Sequence, residues 1–220
     1  MISVLMSVYN GEKLLPRSIE SILSQTHSDF EFLILNDGSV DRTESILNKF
    51  RDLDDRIKIF KNEKNLGLTK SLNQLIKISS GQIIARQDHD DVSLKNRFNN
   101  QIEFMEKKKL DACTTRALVE HSNKKIPGLS SHLPIKLIMK YKNPFIHGTL
   151  MIKSEILKKV GSYNENFYYA QDYMLYKTLI KDQYNIKQLN KVEYVLNQKN
   201  NISTIFKDEQ RKYFIMAKKS

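Results

Sequence analysis

Short apolar runs alternate with helical patterns along residues 1–91, and this alternation constrains the fold more than any other feature. The apolar runs, which are expected to form strands, are residues 2–8, 30–35, 56–60 and 82–85. Between them, apolar side chains recur at helical spacing over residues 13–25, 41–50 and 68–78. Strand–helix units of this length favour right-handed crossovers and a largely parallel sheet. We therefore expect an α/β fold with a Rossmann-like, mostly parallel central sheet flanked by helices.

Polar segments stand where three of the predicted strands end. They are residues 9–11, 36–39 and 88–91. Ligands of parallel α/β sheets bind beyond the carboxyl ends of the strands, which meet at one edge. We therefore expect the three loops to converge on one site, the alternative being three unrelated surface turns.

The third of these segments carries three carboxylates in four residues, Asp88, Asp90 and Asp91, two positions after Arg86. Like charges this close repel each other unless a cation lies among them. Hard oxygen ligands without thiols suit Mg²⁺ or Mn²⁺, ions that bridge carboxylates to a diphosphate. Asp88 and Asp90 would anchor the ion, Arg86 would oppose phosphate or carboxylate charge, and Asp91 would cap the next helix. The alternative is a solvated polar loop.

The remainder of the chain is less regular. Helices are predicted at residues 95–108, 137–141, 154–160, 171–181 and from about 207, and strands at 112–119, 145–152 and 186–195, with a loop at 121–134. We expect one domain over residues 1–220, with two halves at about 1–110 and about 111–220.

The net charge of +11 is unevenly distributed. Residues 1–120 contain 18 Lys/Arg and 18 Asp/Glu, whereas residues 121–220 contain 18 and 7. Basic surface is typical of proteins that bind nucleic acids, anionic membranes or acidic ligands, although a Lys-rich composition also keeps a protein soluble. Charge alone suggests a nucleic-acid-binding protein, but there is no known nucleic-acid motif and we expect no such partner.

Missing motifs exclude several classes of protein. There is no Gly-x-Gly-x-x-Gly after the first strand and no Gly-Lys-Ser/Thr, which disfavours dinucleotide redox chemistry and P-loop phosphoryl transfer. The lone Cys113 excludes an internal disulfide and a Cys-based zinc site. No run of 18 apolar residues occurs, and the first residues lack a basic leader, so we expect a cytoplasmic protein.

Seven short motifs follow one another along residues 1–182. They are Ser-Val-Tyr-Asn-Gly-Glu at 7–12, Ser-Ile-Glu-Ser-Ile-Leu-Ser-Gln-Thr at 18–26, Asn-Asp-Gly-Ser at 36–39 with Asp-Arg-Thr at 41–43, Asn-Leu-Gly-Leu at 65–68, Asp-His-Asp-Asp at 88–91, Val-Gly-Ser-Tyr at 160–163 and Gln-Asp-Tyr at 171–173. In this order and spacing they resemble the family 2 glycosyltransferases, inverting enzymes of the GT-A fold that use nucleotide sugars.

The resemblance makes residues of about 1–110 the nucleotide-sugar-binding half and residues of about 111–220 the acceptor-binding half, and it implies roles for the donor-side residues. Tyr9 would pack against the nucleobase, with Asn10 and Glu12 lining the same pocket. Asp37 would accept a hydrogen bond from the base, a contact typical of uracil. Ordinary packing of Tyr9 and an Asx turn at Asp37 are the structural alternatives.

Near the phosphates, the resemblance makes Asp88 the residue beside the ribose and phosphate, with Arg86 also in the nucleotide-sugar site. It makes Asp90 the direct ligand of Mn²⁺ or Mg²⁺.

On the acceptor side, Asp172 resembles the general base, at the start of a predicted helix whose dipole would keep it ionised. Helix capping alone is the alternative. The family usually has Glu before this Asp, whereas this chain has Gln171, which together with His147 would contact the acceptor. His147 could equally be structural.

The implied reaction moves a sugar from a nucleoside-diphosphate sugar, expected to be UDP-linked, to a hydroxyl of a glycan or lipid-linked acceptor in surface polysaccharide biosynthesis. The basic second half would meet an acidic acceptor, such as a lipid diphosphate, at the inner face of an anionic membrane. Gln171 leaves a second hypothesis open, a catalytically inactive nucleotide-sugar-binding module.

Overall fold

One sheet of nine strands forms the centre of the computed structural model, which describes residues 1–128, 134–199 and 207–219. The strands are β1 (Ile2–Val8), β2 (Phe30–Asp37), β3 (Ile57–Asn62), β4 (Ile83–Arg86), β5 (Val92–Ser93), β6 (Ala112–Val119), β7 (Lys125–Ile126), β8 (Met151–Lys153) and β9 (Ile186–Leu196). Their order across the sheet is β3-β2-β1-β4-β8-β6-β9-β5, with β7 paired to β6.

The first four strands in this order are parallel to one another, as the alternating pattern predicts. Strand β8 then runs antiparallel to both β4 and β6, and β9 runs parallel to β6. Strands from both predicted halves therefore belong to one continuous sheet.

Helices cover both faces of the sheet. They are α1 (Leu15–Leu23), α2 (Thr43–Leu53), α3 (Leu68–Ile78), α4 (Arg97–Lys108), α5 (Ile135–Ile138), α6 (Ser154–Lys159), α7 (Gln171–Lys181) and α8 (Lys207–Lys219). None of these helices, in the described parts of the chain, is long and apolar enough to cross a membrane.

Alternate residues of β1 pack into two separate apolar clusters. Val4 and Met6 belong to a cluster with α1 and α2, whereas Leu5 belongs to one with α3 and α7. Because both faces are buried, β1 and β2 read as continuous apolar runs rather than as alternating ones. This double burial explains why the sequence predicts these strands well.

The predicted strand at residues 145–152 is wrong for most of its length. Only Met151–Lys153 is a strand, and His147–Thr149 forms a turn of 3-10 helix. The Thr149 amide and hydroxyl both donate to the carbonyl of Ile146, at 3.1 and 2.8 Å. These local bonds use groups that a strand would offer to its neighbour.

Other differences are smaller. The helix predicted at 137–141 lies at Ile135–Ile138, and the predicted loop at 121–134 contains the short strand β7, while its residues 129–133 lie outside the described residues. Strand β9 and helix α8 confirm the elements predicted at 186–195 and from 207.

At the amino end of the sheet, a buried carboxylate joins three elements. Glu31, at the start of β2, accepts hydrogen bonds from the Ser3 hydroxyl at 2.6 Å, the Ser80 amide at 2.8 Å and the Lys58 ammonium at 2.9 Å. Burial alone would raise the pKa of Glu31, but these donors outweigh it and lower the pKa to about 2. This end of the sheet serves stability.

We predict that Glu31→Gln destabilises the protein by about 1–3 kcal/mol at pH 7, because donors arranged for a carboxylate lose their charge-assisted bonds. Since the folded pKa is depressed, Glu31 stabilises the fold fully above its unfolded pKa of 4.5, and this contribution falls as the pH drops toward 2. Urea unfolding at pH 7 and pH 3.5 measures the free energy of unfolding, and the variant should differ less from wild type at the lower pH. Glu20→Gln, an exposed change on α1, is the control; equal effects of the two changes would contradict the prediction.

Candidate active site

The loop after β1 is bonded to the loop after β2. The Asn10 amide donates to the Ser39 hydroxyl at 2.9 Å, and the Asn10 side-chain oxygen accepts from the Val40 amide at 2.9 Å. Asn10 has a φ of 52°, a left-handed conformation that Asn tolerates better than most residues. Tyr9 stands beside this junction with 44% of its surface exposed. The two loops thus converge, with an aromatic side chain open to solvent.

Glu12 belongs to the same junction. Its carboxylate accepts from the Arg42 amide at 3.2 Å, and its own amide donates to Asp41 at 3.0 Å. Asp41 also accepts from the amide of Thr43, the first residue of α2, at 3.0 Å. Glu12 therefore links the loop after β1 to the loop after β2.

Asp37 ends β2 and is only 2% exposed. One of its oxygens accepts from the Asn62 side chain at 2.8 Å and the Leu66 amide at 3.0 Å, and the other from the Gly67 amide at 2.9 Å. Asp37 thereby fixes the turn before α3, and few acceptor positions remain for any ligand.

Gly67 in that turn has a φ of 88°, and a Cβ there would lie 2.6 Å from the ring of Tyr168. The close approach places the half-exposed Tyr168, from the predicted acceptor-binding half, against the turn before α3.

The acidic turn at residues 88–91 follows β4, above two buried arginines. Arg86 is 1% exposed; its guanidinium donates to the Leu5 carbonyl at 2.7 Å and to the Asp88 carboxylate at 2.5 Å. Arg97 is also fully buried and donates to the Arg86 carbonyl at 2.8 Å. Direct contact of Arg86 with a nucleotide sugar conflicts with its burial. Its side chain pairs with Asp88 instead.

The three carboxylates of the turn differ in their ease of ionisation. Burial disfavours the charge on Asp88, but Arg86 and Arg97 hold its pKa below the ordinary value. Burial and the neighbouring Asp88 raise the pKa of Asp90, and the same causes raise that of Asp91 well above its usual range. The turn is thus short of positive charge, as the sequence predicts.

Asp91 does not cap a helix, so that prediction is wrong. Its carboxylate accepts from the Asn197 amide at 2.7 Å, and α4 begins only at Arg97. Asn197, just after β9, also extends its side chain to Asp90 at 3.4 Å. The Tyr194 hydroxyl, from β9, accepts from the Asp88 amide at 3.2 Å. Sequence reasoning missed Tyr194 and Asn197, because nothing local indicates that β9 passes over this turn.

A second missed contact holds the turn from α1. Arg17 donates to the Asp90 carbonyl at 2.8 Å and forms a two-pronged ion pair with Glu120. The Ser18 hydroxyl donates to the Asp88 carbonyl at 2.8 Å. The backbone of the turn is therefore fixed from both sides.

Asp172 is the second residue of α7, and its surroundings raise its pKa to about 6. Burial is the main cause, and the charge of Asp88 adds to it, whereas the amide of Tyr173, at 2.7 Å, favours ionisation. The helix dipole, predicted to favour the ionised form of Asp172, is therefore outweighed by burial, which raises the pKa. The charge of Asp88 reaches Asp172, so folding brings these two carboxylates near each other although they are far apart in sequence.

Asn143 orients the carboxylate of Asp172. Its side-chain amide donates to Asp172 at 2.7 Å, while its side-chain oxygen accepts from the Phe145 amide at 3.0 Å. The sequence offers no signal for this role beyond an Asn before Pro144, a common turn pair. One turn further along α7, the buried hydroxyl of Tyr176 has no hydrogen-bond partner among the described residues.

His147 lies in the 3-10 turn rather than in a strand, and its Nε2 is 2.7 Å from the Tyr163 hydroxyl. Burial and the charge of Arg86 lower the pKa of His147 to about 3, so the ring is neutral. The neighbouring Gly148 is required here, because a Cβ would lie 2.6 Å from the Asp88 carboxylate. Gln171 is buried at the start of α7.

A divalent ion fits these residues only if a ligand completes its coordination. Among residues 1–128, 134–199 and 207–219, no three His, Cys, Asp or Glu side chains converge as a metal site. Asp88 and Asp90 offer hard oxygen ligands, and Mg²⁺ is commonly held by one or two carboxylates together with substrate phosphates and water. The acidic turn therefore fits an ion that binds together with a diphosphate.

The chain is similar to known glycosyltransferases. A family model described as "Glycosyl transferase family 2" matches residues 3–177. The O-antigen biosynthesis glycosyltransferase WbnJ of Escherichia coli is 36% identical over 201 residues, 90% of this chain and 78% of WbnJ. The putative glycosyltransferase EpsE of Bacillus subtilis is 34% identical over 165 residues, 74% of this chain and 59% of EpsE.

A third relative carries a more specific name, the UDP-Glc:alpha-D-GlcNAc-diphosphoundecaprenol beta-1,3-glucosyltransferase WfgD of Escherichia coli. It is 28% identical over 221 residues, which are 99% of this chain and 85% of WfgD.

Solved structures share the fold at low identity. Staphylococcus aureus TarS 1-349 in complex with UDP-GlcNAc has a TM-score of 0.78 at 21% identity, covering 91% of this chain and 59% of that one. The mannosyltransferase PcManGT of Pyrobaculum calidifontis, in complex with GDP-Man and Mn²⁺, has a TM-score of 0.79 at 14% identity, covering 98% and 62%. The chain thus spans about three-fifths of EpsE and of these two structures. The GT-A fold predicted from the motifs is confirmed, and the chain belongs to glycosyltransferase family 2.

Proposed function

We propose that this chain is an inverting glycosyltransferase that uses a UDP-sugar and a divalent ion. Its acceptor is a hydroxyl of a glycan or lipid diphosphate, met at the cytoplasmic face of a membrane in surface polysaccharide synthesis. One observation carries the proposal: Asp172 lies close enough to Asp88 for their charges to interact, and burial gives it a pKa of about 6. A carboxylate with this pKa, near the acidic turn, suits proton abstraction near neutral pH.

The donor end of the site supports a nucleotide. The exposed ring of Tyr9 offers a stacking surface, and Asn10 and Glu12 keep its loop in place. Asp37 holds the adjacent turn and would offer its remaining acceptor position to the base. The UDP-GlcNAc complex of TarS, a protein of the same fold, supports a uridine nucleotide.

Asp90 and Asp88 would hold Mn²⁺ or Mg²⁺. When bound, such an ion stabilises negative charge on a departing diphosphate as a Lewis acid. Arg86 contributes by holding Asp88 ionised, since their charges pair beneath the turn. The Mn²⁺ complex of PcManGT supports metal use.

Asp172 would act on the acceptor. Each carboxylate oxygen already accepts one hydrogen bond, from Asn143 or from the Tyr173 amide, and each keeps a lone pair for an incoming hydroxyl. Removing the proton as the hydroxyl attacks the anomeric carbon, opposite the leaving diphosphate, gives direct displacement and inversion. Gln171 and His147 are proposed to position the acceptor, and as a neutral ring His147 adds no charge there.

We predict that Asp172→Asn lowers the rate of sugar transfer by about 10²–10⁴-fold with an unchanged affinity for UDP, because the amide keeps the shape but cannot take a proton. Transfer from a panel of UDP-sugars, with calorimetric UDP binding, measures both quantities. Loss of UDP affinity in the variant would instead place Asp172 in the donor site.

The same assay on the wild-type protein distinguishes an active enzyme from a catalytically inactive nucleotide-sugar-binding module. UDP binding with Mn²⁺, but neither hydrolysis nor transfer of any donor sugar, would favour that module over an enzyme.

We predict that Asn143→Ala shifts the acidic limb of the pH–rate profile upward by about one unit, because the carboxylate of Asp172 loses a donor that favours its charged form. In the wild type, activity should fall as the pH drops below about 6, since the base becomes protonated. The profile is measured at saturating Mn²⁺. Asn166→Ala, at an exposed position before α7, is the control, and an unshifted limb in Asn143→Ala would contradict the assigned role.

We predict that Asp90→Asn removes the additional thermal stabilisation that Mn²⁺ gives in the presence of UDP, because it takes away one carboxylate of the metal site. Differential scanning fluorimetry with UDP, Mn²⁺ or both provides the readout. Asp55→Asn, an exposed acid before β3, should behave like wild type. A full metal-dependent shift in Asp90→Asn would exclude Asp90 as a ligand.

A further inference from the structure

A shallow depression of about 270 Å³ lies between helices α5, α7 and α8. Its apolar part is formed by Met139, Tyr173 and Ile180. Five lysines surround it, and no acidic residue is among the described residues that line it; the lysines are Lys136, Lys140, Lys177, Lys181 and Lys218. We refer to these eight residues as the lysine-rimmed surface. A cationic ring around an apolar floor suits an anionic group attached to an apolar body.

Most of these charges are uncompensated within the described chain. Lys177 donates to the carbonyls of Ala217 and Lys218 and so ties α8 to α7. The other four lysines form no ion pair among the described residues. Four like charges around one depression repel each other, and an anionic surface would relieve that repulsion.

Exposed apolar side chains accompany the lysines. Leu137 on α5, Tyr141 just after it, and Ile215 and Met216 on α8 are each more than 40% exposed. Large apolar side chains exposed in the same two segments as Lys136, Lys140 and Lys218 favour a surface that meets another apolar phase. Aromatic and aliphatic groups next to lysines are the composition of helices that lie in a membrane interface.

The same composition argues against other anionic partners. A free phosphate site would gather backbone amides around one ion, whereas this rim is made of flexible lysine side chains around an apolar floor. A nucleic acid offers no apolar phase for Leu137, Tyr141 or Met216. The unpaired lysines and the exposed apolar side chains therefore both favour a partner that is anionic at its surface and apolar beneath it.

We propose that the lysine-rimmed surface docks this protein on a bilayer rich in anionic phospholipids, with the neighbouring apolar side chains entering the interface. Each lysine near such a surface contributes about five-fold to the partition coefficient, about 1 kcal/mol at 25 °C. The four unpaired lysines would together give binding that salt weakens strongly.

Helix α7 links this surface to the candidate active site. It carries Asp172 in its first turn and Lys181 at its last residue, roughly 14 Å along the helix. Docking would hold the base within reach of a hydroxyl displayed just above the headgroups. This consequence rests on the proposed function, since it requires that the acceptor be lipid-linked.

Vesicle co-sedimentation tests the proposal. Wild-type protein is mixed with vesicles of phosphatidylcholine alone, or of phosphatidylcholine with about one-third phosphatidylglycerol, at low and high salt. We expect binding to the mixed vesicles at least ten-fold tighter than to phosphatidylcholine, and weaker binding at high salt.

Two variants localise the effect. Lys136→Glu/Lys140→Glu/Lys181→Glu should reduce binding to mixed vesicles by roughly 100-fold or more, since three contributions of about five-fold are lost. Lys49→Glu/Lys95→Glu/Lys107→Glu changes the net charge equally at exposed positions of the donor half and should bind nearly as well as wild type. Leu137→Ser/Met216→Ser retains every lysine and should leave a weaker, wholly salt-sensitive binding. Circular dichroism checks that each variant folds.

Equal losses in the two lysine variants would overturn the proposal, because binding would then follow net charge rather than this surface. So would equal binding of the wild type to both kinds of vesicle, or full displacement from mixed vesicles by millimolar inorganic phosphate, which would indicate a site for small anions. Hydrolysis of the donor in solution separates the two proposals. If it is absent while docking behaves as expected, the proposed function fails and the docking surface stands.

Discussion

Buried positive charge beneath the acidic turn is the constraint on which the rest of the site depends. Arg86 and Arg97 are both fully buried, and a buried charge is costly unless it is paired and hydrogen-bonded. Arg86 is compensated by Asp88, and Arg97 by backbone and side-chain oxygens around it. The arginines therefore hold the turn and its carboxylates in place before any ligand binds. Such preorganisation is what electrostatic catalysis requires.

The amino edge of the sheet contributes to stability, whereas the carboxyl edge carries the residues of the proposed active site. At the amino edge, Glu31 satisfies donors from three elements and is closed to solvent. At the carboxyl edge, the acidic turn is left short of positive charge, and burial keeps the charged form of Asp172 costly. Keeping such carboxylates ionised costs free energy, and binding of a metal, a diphosphate or an acceptor hydroxyl can reduce that cost. The fold thus tolerates a local electrostatic cost where the chemistry is proposed.

Sequence reasoning succeeded where local pattern and burial agree. Strands β1 and β2 are buried on both faces, so their apolar runs are unambiguous, and the motifs at 36–39 and 88–91 fall at their predicted edge. It failed at residues 145–150, where an apolar run without periodicity folds into a 3-10 turn through local bonds to Ile146. Sequence reasoning also missed the hydrogen bonds made by Asn143, Tyr194 and Asn197, because these residues contact partners that are distant in sequence.

The sequence by itself determined the α/β class, the family and the loops that carry polar residues, and it predicts Asp90 as a metal ligand and Asp172 as the general base. The alternation of apolar runs and the order of the motifs are properties of neighbouring residues, so they can be recognised from the sequence without a structure. Only the tertiary structure decided that Arg86 is buried beneath the acidic turn, that Asp91 accepts a hydrogen bond from the Asn197 amide, and that the partly buried Asp172 lies within reach of the charge of Asp88. Burial and pairing set the charge state of a group, and both depend on which distant segments pack around it.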